Sequence, residues 1–213
     1  KRSYANGMSR GTNYTIIYPA IDVSCFKRHH LGFAKSKLRI TTIARLHWIK
    51  GLSETLEALS IIKQKGVLFE YTIIGEGLEL ESLKFAVHQL NLTAEVTFIG
   101  RVEHKHIMDR LAETDMYIQY SYSEGFCNAV LEAQAIGLLC IVSDGGALPE
   151  NVIHEQTGWV VGKRNAEALA NKILEVVNLP AHEKDMIVQR AIKRIKEDFN
   201  LKKQQDAFLK FYE

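Results

Sequence analysis

Cysteine and proline are scarce: 213 residues hold three of each, against 14 glycines. The cysteines (Cys25, Cys127 and Cys140) are odd in number and lack metal-ligand spacing. That excludes a disulfide framework and a zinc-ribbon pattern, and they read as free thiols of a reducing compartment. No long apolar run is present. The longest, Ala135–Val142 counted through Gly137, falls far short of the ~20 residues that span a bilayer. No leader peptide is expected either. What remains is ordinary globular composition, with 46% hydrophobic, 24% charged and 9% aromatic residues. Disordered, collagenous and low-complexity classes are excluded, and the chain can bury a sizeable core. The chain begins Lys1-Arg2 rather than with Met, and it is expected to be a piece of a longer protein.

Net charge is +2, but it is unevenly spread. Residues 1–50 carry ten Lys/Arg and one acid, Asp22, whereas residues 51–213 carry 17 Lys/Arg and 24 acids. A basic N-terminal quarter suits an anionic ligand, a nucleic acid, a membrane surface or a solvated arm. It lacks the aromatic interleaving of single-strand platforms, so no nucleic-acid partner is expected.

The periodicity alternates. Residues 1–13 have none and read as a loose arm, followed by a short strand at Tyr14–Tyr18 closed by Pro19. Strands are then predicted at Leu38–Ala44, Phe69–Ile74, Glu95–Ile99, Met116–Tyr120, Leu139–Ser143 and Trp159–Val161. Helices are predicted at Leu52–Lys65, Leu78–Leu90, Glu103–Glu113, Ala129–Ile136, Glu167–Val177, Lys184–Glu197 and Leu201–Tyr212. Strict strand–helix alternation predicts an α/β fold with a parallel sheet covered by helices on both faces. Ligands of such sheets bind outside the carboxyl ends of the strands. The loops that follow strands are therefore where chemistry is sought.

Four loops stand out. In Arg45-Leu46-His47-Trp48-Ile49-Lys50-Gly51, two cations beside a helix N-terminus suit a diphosphate, though two solvated charges would read alike. Gly75-Glu76-Gly77 permits close backbone approach but is not a full dinucleotide fingerprint, and it is also a plain strand-to-helix turn. Asp144-Gly145-Gly146-Ala147-Leu148-Pro149-Glu150 can fold over a ligand or simply connect. The most specific segment is Ser121–Ala133. Glu124 sits in the loop after a strand, and Glu132 sits eight residues on, in the helix that the loop opens. Gly125 lets the backbone pass close to a ligand. The amides of Phe126–Asn128 at the helix N-terminus favour an anion between the two acids. Hydroxyl, phosphate, hydroxyl is the layout of a nucleotide sugar. An acid inside the apolar run Ala129–Ala135 would be costly if unpaired, which marks Glu132 further. A glycosidase could also use two carboxylates, as acid and nucleophile, but it has no diphosphate to occupy Arg45 and Lys50.

Taken together, Arg45…Lys50-Gly51, Gly75-Glu76-Gly77, Val96–Gly100, Glu124-x7-Glu132, Ser143-Asp144-Gly145-Gly146…Pro149-Glu150 and Gly158-Trp159-Val160-Val161 resemble a known family. They are similar to the C-terminal, donor-binding domain of retaining glycosyltransferases of the two-Rossmann-domain, type-B fold. Glycogen-synthase-like, sucrose-synthase-like and phosphatidylinositol-mannosyltransferase-like enzymes belong to it. Tyr18-Pro19-Ala20-Ile21-Asp22…Phe26 resembles the interdomain segment, with Ala20 in place of a usual glycine. The resemblance implies an N-terminal arm and interdomain segment over residues 1–37. It implies a Rossmann-like nucleotide-sugar-binding domain with C-terminal helices over residues 38–213.

The resemblance also implies roles. Arg45 and Lys50 neutralise the donor diphosphate, Glu132 binds ribose hydroxyls, and Glu124 contacts the donor sugar. The amides of Phe126 and Cys127 lie near phosphate or sugar, with Cys127 replacing the usual glycine or proline. Arg101 and Val102 form the edge where the base docks. No cofactor or metal is implied, since the cations do what Mg²⁺ does elsewhere. The implied partners are a nucleotide-sugar donor and a glycan or lipid-linked acceptor, the latter held by an N-terminal domain that residues 1–37 are too short to form. The place implied is the cytoplasm, with peripheral association at the inner face of a membrane. The alternative is a non-catalytic module that binds a nucleotide sugar or a partner.

Overall fold

Short β-branched runs stopped by glycine, each followed by a segment of helical spacing, leave one way to bury both. The strands stack as a sheet and the helices cover its faces. The structure is a computed structural model that describes residues 16–22 and 37–212. The expected arm, Cys25 and Phe26 lie outside the described residues. In chain order the elements are β1 (Leu38–Ile43), α1 (Leu52–Gln64), β2 (Phe69–Ile74), α2 (Leu80–Gln89), β3 (Val96–Gly100), α3 (His104–Ala112) and β4 (Met116–Gln119). They continue with α4 (Asn128–Ile136), β5 (Leu139–Ser143), α5 (Leu148–Asn151), β6 (Trp159–Val161), α6 (Ala166–Asn178), α7 (Ala181–Asp198) and α8 (Leu201–Tyr212). Predicted and observed ends differ by no more than three residues, the ordinary fraying of helix and strand termini.

The six strands are ordered β3-β2-β1-β4-β5-β6, and every pairing is parallel. This is the doubly wound order, and the chain reverses its direction of travel between β1 and β4. An ion pair between a partly buried arginine and a buried aspartate locks that junction from below. Arg39 on β1 donates from Nε to Asp115 Oδ2 at 2.9 Å and from Nη2 to Oδ1 at 2.5 Å, while the Arg39 amide also donates to Oδ2 at 2.9 Å. Leu56, Leu59 and Ile62 of α1 pack with Leu83 of α2 and Leu169 and Ile173 of α6 against one set of strand side chains. Ile107 and Leu111 of α3, Val130 and Ala133 of α4 and Leu148 of α5 form a second cluster with Tyr117, Cys140 and Val142. Helix α7 lies against α4.

Two expectations are corrected. The described part of the predicted Tyr14–Tyr18 strand, residues 16–18, has no strand geometry. Its side chains find aromatic partners instead of a sheet edge: Tyr18 packs against Phe126 and Phe199 with ring centroids 5.3 and 5.9 Å away. The neighbouring Ile21 amide donates to Phe199 O at 2.9 Å. The Asp144–Glu150 segment is also not all loop. It closes into α5, with Pro149 in its first turn, where a missing amide proton is harmless. Among the described residues no helix is long and apolar enough to cross a membrane.

Candidate functional site

The carboxyl ends of β1 and β4 meet at the reversal point. The loop after β1 ends in a 3-10 turn, Trp48–Lys50, and Gly51 then enters α1 with φ of 61°. A left-handed residue here turns the chain sharply enough to leave Lys50 facing the loop after β4. Lys50 Nζ reaches Glu124 Oε2 at 2.5 Å, so the cation and the acid that the sequence singled out are directly paired. Both side chains are largely shielded, at 20% and 16% exposure. Lysine has three donors, and two remain beyond this contact. Ser121 Oγ donates to the same Glu124 oxygen at 3.1 Å. Arg45 lies exposed at the start of the β1 loop and has no hydrogen bond or ion pair among the described residues.

Glu132 stands one turn up α4 from Asn128. Its residue exposure is 7%, and His104 Nε2 donates to its Oε1 at 2.9 Å. His104, the first residue of α3, was not a sequence candidate. Only the fold brings the loop after β3 across to α4. Glu132, His104, Asn128 and Met108 line a cavity of about 560 Å³ that is closed on another side by Ile21 and Asp22. The buried acid thus opens onto space large enough for part of a nucleotide. Arg101 is exposed and stands 3.7 Å from Glu76, joining the β2 and β3 loops. Val102 packs inward against the second core cluster.

The α4 N-terminus differs from expectation at one atom. The Cys127 amide, expected near a ligand anion, donates to Asn151 Oδ1 at 3.1 Å, and Asn151 Nδ2 returns a bond to Cys127 O at 3.1 Å. This clamp from α5 uses the only proton of that amide. The amides of Phe126 and Asn128 have no such partner among the described residues. Burial pushes the Cys127 thiol up to about 11, with the Glu124 charge adding to it.

The glycines divide into two kinds. A Cβ at Gly51, Gly75, Gly77, Gly145 or Gly146 would fall within 3.0 Å of the backbone of an adjoining loop. These five let the loops after β2, β1, β4 and β5 lie backbone to backbone as one floor. Gly75 and Gly77, expected to approach a ligand, approach Ala44 and Leu46 of the β1 loop. A Cβ at Gly125 would meet nothing within 4 Å. Among the described residues no cluster of three or more His, Cys, Asp or Glu side chains is arranged to hold a metal ion.

The family model described as glycosyl transferases group 1 matches residues 25–194. The amylovoran biosynthesis glycosyltransferase AmsK of Erwinia amylovora is 35% identical over 171 residues, 76% of this chain and 41% of that protein. The matched segment therefore spans less than half the length of that relative. Anabaena HepE, solved with UDP-glucose, superposes with a TM-score of 0.82 at 20% identity, covering 93% of this chain and 57% of HepE. The C-terminal domain of the group 1 glycosyl transferase LpcC of Francisella tularensis covers 85% of this chain and 99% of that domain, with a TM-score of 0.73 and 23% identity. The doubly wound sheet thus has the Rossmann-like fold of one half of type-B glycosyltransferases, and the chain belongs to the glycosyl transferases group 1 family.

Proposed function

We propose that this chain is the donor-binding half of a retaining hexosyltransferase. That enzyme moves a hexosyl unit from a nucleoside-diphosphate sugar to a glycan or lipid-linked acceptor held by a separate N-terminal half. The observation that carries this is the Lys50–Glu124 pair at the reversal point, beside the Glu132-lined cavity. The pair supplies a cation for the diphosphate and an acid for the sugar, and the cavity supplies a second acid for the ribose.

Arg45 and the two remaining donors of Lys50 hold the diphosphate and stabilise charge as it leaves, so electrostatics replaces a metal ion. The open amides of Phe126 and Asn128 add the partial positive charge of the α4 N-terminus. Glu124 Oε2 is taken by Lys50 and Ser121, which leaves Oε1 for a sugar hydroxyl. Glu132 receives the ribose hydroxyls, with His104 fixing its carboxylate. Arg101 and Val102 border the base. The relatedness to amylovoran and colanic acid biosynthesis glycosyltransferases supports a role in polysaccharide biosynthesis.

Donor-saturation kinetics on the intact enzyme test the roles. Glu132→Ala should mainly raise the donor KM, because ribose contacts are equal in ground and transition states. Glu124→Ala should mainly lower kcat, because its contact fixes the reacting carbon. The opposite split would reverse the two assignments. Loss of wild-type activity in EDTA would overturn the metal-free mechanism.

A further inference from the structure

Strand β4 carries an unusual set of buried polar side chains. Along a strand, alternate residues share one face. Tyr117, Gln119 and Ser121 follow that alternation and are 0%, 1% and 0% exposed. A glutamine and a tyrosine hydroxyl inside a parallel sheet are destabilising unless every polar atom is matched. Here they are matched in series. Tyr117 Oη donates to Gln119 Oε1 at 2.9 Å, and Gln119 Nε2 donates to Ser121 Oγ at 2.9 Å. Ser121 Oγ then donates to Glu124 Oε2 at 3.1 Å.

The direction of this series is fixed by chemistry. An ionised carboxylate only accepts, so Ser121 must spend its single proton on Glu124. Its oxygen then accepts from Gln119, which requires the amide nitrogen on that side. The amide oxygen consequently faces Tyr117, whose hydroxyl must donate. Tyr117 is itself anchored at the end of β1, where its hydroxyl lies 3.3 Å from both the amide and the carbonyl of Ile43. Burial raises the Tyr117 pKa well above its usual value, so it keeps the proton that the series needs.

We propose that Gln119 and Tyr117 are positioning residues that act through Ser121 to hold the Glu124 carboxylate in register with the transferred sugar. This rests on the sugar-facing role proposed for Glu124. Lys50 pulls the same oxygen from the β1 loop, and the buried series opposes it from beneath. The carboxylate is thus held at Oε2 by both Lys50 and Ser121, which leaves Oε1 to the ligand. A loop acid gripped this way keeps its geometry without help from the ligand, and such preorganisation is what sustains kcat.

The test uses Gln119→Met, which keeps side-chain length and removes both amide bonds. Tyr117→Phe is the milder variant, removing one hydroxyl. Nucleoside diphosphate release by the intact enzyme is followed with UDP-glucose, UDP-galactose and GDP-mannose, alongside melting curves. Gln119→Met should lower kcat by about tenfold to a hundredfold, the range for small misplacements of a reacting group, with donor KM changing by about twofold or less. On a Ser121→Ala background it should lower kcat no further, because one series is cut only once. Tyr117→Phe should give a smaller loss of the same kind. A crystal structure of the Gln119→Met chain should show the Ser121–Glu124 contact broken and the sheet unchanged, a readout that needs no donor. An intact contact there would overturn the proposal. So would a lowered melting temperature with full kcat, or losses in Gln119→Met and Ser121→Ala that multiply. Glu124→Gln separates the two levels. If it loses kcat while Gln119→Met keeps it, only the positioning role falls. If Glu124→Gln keeps full kcat, both fall.

Discussion

Gly77 and Gly125 make the sharpest contrast that the structure offers. Both flank the proposed donor site and both read in the sequence as glycines for close ligand approach. At Gly77 the three atoms nearest to an added Cβ are all backbone atoms of Leu46, each inside 3.0 Å. Backbone cannot rotate away as a side chain can. Gly77→Ala must push the β1 and β2 loops apart by on the order of 1 Å, an overpacking that destabilises by about 1–3 kcal/mol. The bonds Leu46 N to Glu76 O at 2.9 Å and Glu79 N to Leu46 O at 3.2 Å lie at the same junction. Weakening them adds about 0.5–1.5 kcal/mol each. The total is about 2–6 kcal/mol, or roughly 4–24 °C in Tm for a domain of this size. Gly125→Ala meets open space and a backbone that L residues adopt, so its Tm should stay within about 2 °C. Its donor affinity should fall instead, because the new methyl occupies the face assigned to the sugar. Thermal melts followed by circular dichroism, with calorimetry on the folded variants, separate the two. A stable Gly77→Ala, or a Gly125→Ala that melts early yet binds normally, would refute the division of the glycines.

Three further outcomes follow from single contacts. Asp115→Asn should lower stability by about 2 kcal/mol, the range for hydrogen bonds to charged groups, because it removes the charge that pairs with Arg39 and weakens the three bonds that Asp115 accepts from the Arg39 amide and guanidinium; urea denaturation measures it, and an unchanged midpoint would contradict the pairing. Cys127 should resist iodoacetamide at pH 7–8, since reaction needs the thiolate and burial holds its pKa near 11. Peptide mapping would show labelling of Cys127 only as the pH approaches that value, and rapid labelling at pH 7 would contradict it. Asn151→Ala should free the Cys127 amide and loosen the α4 N-terminus, visible as faster hydrogen exchange at Cys127; unchanged exchange would show that the clamp has no hold on it.

Much of the fold could be read locally. Phe69–Ile74 and Leu139–Ser143 are apolar, β-rich runs with glycine or helix-breaking neighbours, and their bounds match the strands. Strict alternation made the sheet parallel. The strand order is not local information, and the reversal between β1 and β4 decides which loops meet. That is why the Lys50–Glu124 contact, 74 residues apart in sequence, was visible only as two separate candidates. His104 gave no local signal, because its role comes from where α3 starts relative to α4. The Asn151 clamp was hidden for the same reason. The polar series of β4 was on the page as Tyr-x-Gln-x-Ser-x-x-Glu. Its period of two identifies a shared face, but a buried strand hides whether that face is matched. Residues 16–18 read as strand because aromatic residues pack equally well outside a sheet, and Phe126 and Phe199 offer Tyr18 that surface.

The central claim is that this edge of the sheet binds a nucleoside-diphosphate sugar through fixed cations and acids. Isothermal titration of the chain with UDP, GDP and ADP and their glucose conjugates, in buffer with EDTA, tests it most directly. The expected result is heat with one of the three bases, unchanged by added Mg²⁺. Lys50→Ala should weaken that binding by about 1.5–3 kcal/mol, the range for hydrogen bonds to charged groups, or roughly 10- to 150-fold. Silence with all six ligands, binding that requires Mg²⁺, or a Lys50→Ala chain that binds like wild type would contradict it.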